Sequence, residues 1–106
     1  MRMNTITFFF EISAAKQKEF MQSVRLLNER IKNEKGLVQL NLFQSVDNPS
    51  LMQIIAEWRT QEDLDTHTRS ENFRLLVSTL KVLSEHSRIL YELKPDRAKK
   101  MQRIKL

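Results

Sequence analysis

Two apolar runs of similar length flank a short turn in the middle of the chain, and this pairing limits the fold more than any other feature. Leu37–Gln44 alternates, with Val38, Leu40 and Leu42 on one face and Gln39, Asn41 and Phe43 on the other. Leu51–Trp58 does the same, with Met52, Ile54, Ala56 and Trp58 opposed to Gln53, Ile55 and Glu57. A period of two is the signature of strands. Asp47–Asn48–Pro49 between them is turn chemistry. A central hairpin is therefore expected, and the rest of the chain has to pack around it.

The flanks repeat one pattern on each side. Thr5–Ile12 alternates Ile6, Phe8, Phe10 and Ile12 on one face, which predicts a first strand. Ser13 is placed to cap a helix over about residues 15–35, whose apolar stripe is Phe20, Val24, Leu27 and Ile31. Gly36, the only glycine, follows the last residue of that stripe, where a left-handed C-cap needs it. After the hairpin, Thr60 and Asp63 resemble a capping box and predict a short helix through about Arg69. Ser70 then caps a segment to about Glu85, striped by Phe73, Leu76, Val77, Leu80 and Leu83. A last strand is expected over about Ser87–Leu93, ended by Pro95. The order β-α-β-β-α-α-β predicts an α+β, ferredoxin-like domain with a four-stranded antiparallel sheet.

Helices are expected on one sheet face only. The other would carry Phe9, Phe43, Ile55 and Tyr91 or Leu90, much apolar surface for a face left in water. Two sheets packing face to face, in a homodimer, is the expectation. A chain of 106 residues makes one domain with a modest core, so a second subunit would add to its stability.

Charge divides the chain in two. Residues 94–106 carry six basic side chains against Asp96 alone, while residues 1–93 carry twelve of each sign. The expected organisation is thus a domain over residues 1–93 and a basic C-terminal tail over 94–106, read as a short amphipathic helix or as disorder. A neutral domain gives no electrostatic footprint for nucleic acid, so nucleic-acid binding is not expected. The absence of cysteine excludes disulfides, thiol nucleophiles and cysteine-ligated metals. It fits a reducing compartment. Phe8–Phe10 is too short for a signal core, and no run approaches the roughly 20 apolar residues of a membrane span. A cytoplasmic protein with no membrane partner is expected.

Catalytic signatures are few. Ser45, Thr60 and Ser70 lack the glycines of a nucleophile elbow. There is no phosphate-binding glycine loop, and His67 and His86 do not stand at metal-ligand spacing from carboxylates. Trp58 should face the helices, as a core residue or as a surface for stacking a substrate. His67 lies within reach of the sheet end, where a neutral imidazole serves as base or donor, or makes a structural hydrogen bond. Phe8, Phe10 and Phe73 are core aromatics or substrate contacts. His86 should be exposed, and Glu57 is a candidate for pairing with an arginine across a dimer interface.

A further set of segments carries a family likeness. Lys16–Gln17–Lys18–Glu19–Phe20, Asn33–Glu34–Lys35–Gly36–Leu37, Asp47–Asn48–Pro49 and Ala56–Glu57–Trp58 are followed by Glu62, Asp65, His67, Ser70 and Phe73. This succession, over about residues 4–93, resembles the antibiotic biosynthesis monooxygenase domains, which form dimeric α+β barrels. The resemblance implies oxygen chemistry without metal, haem or flavin, hence no cofactor. A phenol, quinol or anthrone would lose a proton and pass an electron to O₂ in a dry pocket that supplies a base and holds the developing anion. It casts His67 as the catalytic base and Trp58, Phe73, Phe8 and Phe10 as substrate contacts. Members that oxidise polyketides carry an asparagine four residues before the tryptophan, where this chain has Ile54. The asparagine, second tryptophan and axial histidine of the haem-degrading branch fall on Thr7, His67 and Val77, so haem cleavage is not expected. Two functions follow: a cofactor-independent monooxygenase acting on a small aromatic or quinol, or a non-catalytic dimeric ligand-binding or stress-response module.

Overall fold

The computed structural model describes residues 4–92 and 101–106, with the backbone alone for residues 88–92. The elements are β1 (Asn4–Glu11), α1 (Gln17–Ile31), β2 (Leu37–Ser45), β3 (Leu51–Trp58), α2 (Gln61–Thr68), α3 (Glu71–Leu83), β4 (His86–Glu92) and β5 (Met101–Ile104). The strands make one sheet in the order β4-β1-β3-β2-β5, antiparallel throughout. The expected α+β order and hairpin are present.

The sheet has five strands where four were expected. The fifth comes from the segment read as a basic tail: Met101–Ile104 pairs with β2, Ile104 opposite Leu42 and Met101 opposite Ser45. For these four residues the helix and disorder readings are both overturned. Ile104 and Leu106 pack against the core, and apolar burial offsets the charge of their neighbours. Residues 94–100 lie outside the described part of the chain, and Pro95, the expected strand end, is among them.

Local chemistry explains most of the boundaries. Gly36 has φ 86°, the left-handed conformation that its position required. Its carbonyl accepts from the Arg59 N–H at 2.7 Å, tying the start of β2 to the end of β3. Thr60 accepts from the Asp63 N–H at 3.0 Å and Ser70 from the Phe73 N–H at 3.1 Å, so both predicted caps form. Ser13 makes no side-chain cap. A single 3-10 turn over Ala14–Lys16 begins instead, with the Lys16 N–H on the Ser13 carbonyl.

One strand is phased differently from its sequence pattern. The β2–β3 register shifts between Leu37 and Gln39, a bulge that leaves Val38 exposed and brings Leu37 onto the core beside Leu40 and Leu42. The core itself lies between the sheet and α1, α2 and α3. It holds Ile6, Phe8, Phe10, Ile12, Met52, Ile54, Ala56 and Trp58 from the sheet, and Phe20, Val24, Leu27, Ile31, Leu64, Leu76, Leu80 and Leu83 from the helices. Full burial of each such Phe, Leu or Ile side chain contributes about 1.5–3 kcal/mol.

The other sheet face differs from expectation. Phe43 and Ile55 were expected to need a second subunit, yet both are buried in the single chain, with Thr5, Thr7 and Gln53 beside them. Among the described residues no helix is long and apolar enough to cross a membrane.

Candidate functional site

Trp58 ends β3, His67 lies in the last turn of α2, and Phe73 lies in the first turn of α3. Two caps, at Thr60 and Ser70, set the starts of those helices, so short-range hydrogen bonds fix where the imidazole and Phe73 sit. The imidazole stacks on the indole with centroids 4.4 Å apart, and Phe73 meets it edge-on at 5.5 Å. Phe8 closes the group, 6.0 Å from Phe73. Trp58, Phe8 and His67 are all 2% exposed or less, while Phe73 is half-buried and is the ring of the four that reaches the surface.

Phe10 does not join this group. Asn4 is the β1 residue opposite Trp58, so Phe10 stands six residues further along the strand, about 20 Å away at the strand rise. Its ring packs on Phe20 instead, at 5.1 Å. The expected set therefore divides into a cluster of Trp58, His67, Phe73 and Phe8, and a separate core contact.

Two residues without an assigned role complete the cluster. Glu34, in the turn between α1 and β2, places Oε1 2.9 Å from His67 Nδ1. Its Oε2 accepts from Asn72 Nδ2 at 3.0 Å, and Asn72 Oδ1 accepts from Arg30 Nε at 2.8 Å. With Glu34 as an ionised acceptor, His67 Nδ1 carries the proton and Nε2 is the atom left to take one. This is the carboxylate–imidazole arrangement that fixes a tautomer for base catalysis. Glu34 stands 33 residues from His67 and two before Gly36. The carboxylate preceding a glycine turn was visible in the sequence, but its partner was not.

The glycine is needed for this contact. A Cβ at Gly36 would lie 2.1–2.5 Å from the Asp63 side chain, so the first turn of α2 rests against bare backbone. That close approach brings α2, and His67 with it, down onto the turn that carries Glu34.

Among the described residues, the buried polar side-chain atoms lacking a hydrogen-bond partner are Trp58 Nε1, Thr5 Oγ1, Thr7 Oγ1 and both amide atoms of Gln53. Trp58 Nε1 is the one in the aromatic cluster. The others lie on the sheet face away from the helices: Thr5 and Thr7 in β1, and Gln53 between Phe9 and Phe43 in register. Two hollows lined by described residues lie on that face. One, of about 310 Å³, is lined by Phe9, Glu11, Leu51, Gln53, His86 and Met101 among others. The second, of about 370 Å³, is polar and lined by Gln39, Asn41, Phe43, Ile55, Glu57, Met101 and Arg103. Glu57 thus shares a hollow with an arginine of its own chain. His86 is exposed, as expected. Among the described residues no group of three or more His, Asp or Glu is placed to hold a metal ion.

Comparison with known proteins gives the relationship. A conserved protein from Methanosarcina mazei Go1 superposes with TM-score 0.81 at 24% identity, covering 90% of this chain and 95% of that one. A candidate antibiotic biosynthesis monooxygenase from Nitrosomonas europaea gives 0.76 at 16% identity, over 87% and 89% of the two chains. Another structure, named as an antibiotic biosynthesis monooxygenase, gives 0.74 at 19% identity, over 88% and 99%. At these identities the likeness is one of fold. No curated protein sequence matches the chain. The family model described as antibiotic biosynthesis monooxygenase matches residues 3–78, which include β1, the hairpin, Glu34, Trp58, His67 and Phe73. The chain belongs to the antibiotic biosynthesis monooxygenase family.

Proposed function

We propose that the chain is a cofactor-independent monooxygenase acting on a small aromatic or quinol substrate, with His67 as base. The reading is carried by one juxtaposition: a buried indole N–H without an acceptor lies beside an imidazole whose Nδ1 is held by Glu34. His67 Nε2 would take the substrate's phenolic or benzylic proton. The Trp58 N–H would hold the oxygen on which charge develops, in an apolar box where such a bond is strong. The substrate itself supplies the electrons to O₂, one atom of which enters the ring system while the other leaves as water. Phe73, the ring at the surface, is the residue that swings aside to admit the substrate, and Phe8 and Trp58 form the walls. Phe10 is too far along the sheet to touch the same ring.

A cytoplasmic homodimer remains part of the proposal. Its support is the family, whose domains form dimeric α+β barrels.

The test is oxygen uptake by the purified chain offered a panel of quinols, phenols and anthrones. Uptake above the uncatalysed rate is expected for at least one. His67→Gln, which still donates to Glu34 but is no base, should lower it about 10²-fold or more while circular dichroism stays unchanged. Uptake unaffected by this substitution would remove His67 from the mechanism.

A second reading has its own observation. Trp58, Phe8 and His67 are packed so closely that they fill the space a substrate would need. A non-catalytic ligand-binding or stress-response module of the same fold accounts for that packing. No uptake with any member of the panel would favour it.

A further inference from the structure

The hydrogen bonds behind His67 do not stop at Glu34. Asn72, in the first turn of α3, stands between Arg30 of α1 and the Glu34 carboxylate. Arg30 Nε can only donate, and it lies 2.8 Å from Asn72 Oδ1. That contact fixes which way the amide faces, and its NH₂ group is turned to Glu34 Oε2, 3.0 Å away. Glu34 therefore accepts on both oxygens, from the amide at Oε2 and from the imidazole at Oε1, which is 2.9 Å from Nδ1. A carboxylate held at one oxygen still turns about its last torsion, which is a broad and nearly two-fold rotor. One held at both oxygens is fixed. Arg30 also pairs with Glu71 at 3.6 Å, but with side chains 53% and 68% exposed that ion pair is worth little. The contribution of Arg30 lies in the way it turns the amide.

We propose that Asn72 is a positioning residue for His67: it holds the Glu34 carboxylate in the orientation that keeps the imidazole proton on Nδ1 and leaves Nε2 bare. This role presupposes the reading of His67 as base, but the tautomer exists whether or not a substrate is bound. The donors run one way, from the guanidinium to the amide and from the amide to the carboxylate. A carboxylate free to turn would release Nδ1, and the ring could then carry its proton on Nε2 instead. An imidazole protonated there has no lone pair to receive a proton from a substrate. The N-terminal end of α3 adds to the hold, since its partial positive charge favours an anion beside the first turn. The same turn joins the base to the proposed way in. Phe73, the ring at the surface, follows Asn72 directly, so the Ser70 cap sets the place of both. The competing account is a purely structural tie, because the same bonds fasten α1, the turn after it and α3 together. A tie of that kind predicts lost stability on substitution, with the His67 proton where it was.

The experiment reads the ring nitrogens of His67 by nitrogen NMR in the full chain, at alkaline pH where an imidazole is neutral. Protonated and bare ring nitrogens resonate far apart, and the exposed His86 gives a reference in the same spectrum. The parent chain should show a protonated Nδ1 and a bare Nε2. Asn72→Asp keeps the size of the side chain and an oxygen for Arg30, but presents an acceptor to Glu34. Asn72→Leu removes the bond altogether. In both, the Nε2 resonance should move toward the protonated position, and kcat for oxygen uptake should fall about tenfold or more with little change in KM. Arg30→Met, at an exposed position that folding tolerates, should move the resonance in the same sense by less. A parent ring with its proton on Nε2 overturns the proposal before any variant is made. Unmoved resonances in folded Asn72→Asp and Asn72→Leu chains also overturn it and leave only the structural tie. Should neither Asn72 variant fold, an unmoved resonance in Arg30→Met overturns it instead. A parent that takes up no oxygen, but whose resonances move as described, loses the base and keeps the hold on its tautomer. Uptake abolished by His67→Gln with unmoved resonances in the Asn72 variants does the reverse.

Discussion

The two faces of the sheet solve the problem of burial differently. On the helix side, the strands contribute Ile6, Phe8, Phe10, Met52, Ile54, Ala56 and Trp58, and His67, the ionisable group buried there among the described residues, is held by Glu34. On the far side, Thr5, Thr7 and Gln53 are as deeply buried, yet four of their polar side-chain atoms have no partner. Desolvation without a hydrogen bond is unfavourable, and among the described residues the first face leaves only Trp58 Nε1 without a partner where the second leaves four atoms. The helix side carries most of the apolar core, and the far side carries most of the unpaired polar atoms among the described residues.

Substitutions sharpen or break this contrast. Trp58→Ala removes the largest fully buried side chain and the surface on which His67 stacks, and should cost about 3–5 kcal/mol in denaturant unfolding. A loss below about 1 kcal/mol would mean that the helix side is not the stable core described here. Gly36→Ala combines a left-handed backbone with a collision against Asp63. A left-handed conformation alone costs a residue with a side chain about 1–2 kcal/mol, so a loss of about 2 kcal/mol or more is expected. The imidazole resonance of His67 should shift as α2 is pushed away, and an unmoved resonance would show that the glycine does not set the Glu34–His67 contact. Thr7→Val has the smallest effect and the opposite sign. It removes an unpartnered hydroxyl at constant shape and should raise stability by up to about 1 kcal/mol. If the melting temperature falls instead, and falls more steeply on dilution, then the hydroxyl has a partner in a second copy.

Much of the fold is legible from short range. The hairpin, the two helix caps and the left-handed Gly36 are each encoded within a few residues, and all four are as read. The bulge at Leu37–Gln39 is not, because the 2-residue alternation runs unbroken through Val38 and only contact with Trp58 and Glu57 shows the slip. β5 is missed for a related reason. Met101–Ile104 is short and set among lysines and arginines, and its pairing depends on the free edge of β2, which a linear pattern does not reveal. The cluster of Trp58, His67 and Phe73 is legible as three residues near a sheet end. Phe10 misleads because it shares a face with Phe8 but not a position along the strand. Glu34 and Asn72 become visible only when residues 33 and 38 positions apart in sequence have been folded together. Gln53 offers a faint signal, an amide inside the apolar run Leu51–Ala56, but burial on both sides of a sheet is a tertiary property.

The turn between α1 and β2 has a consequence for how this chain can vary. Within three residues it presents the carboxylate that orients the imidazole and the bare backbone against which α2 rests. One inserted residue there shifts Glu34 relative to Gly36 by up to about 3.5 Å, more than a hydrogen bond can stretch. The Asp47–Asn48–Pro49 turn at the other end of the hairpin ties down Gln17 and Gln44 through the Pro49 carbonyl, and neither contact bears on the histidine. Length changes in descendants of this sequence should therefore collect at the far turn, while the segment from Glu34 to Gly36 keeps its spacing for as long as the histidine keeps its orientation.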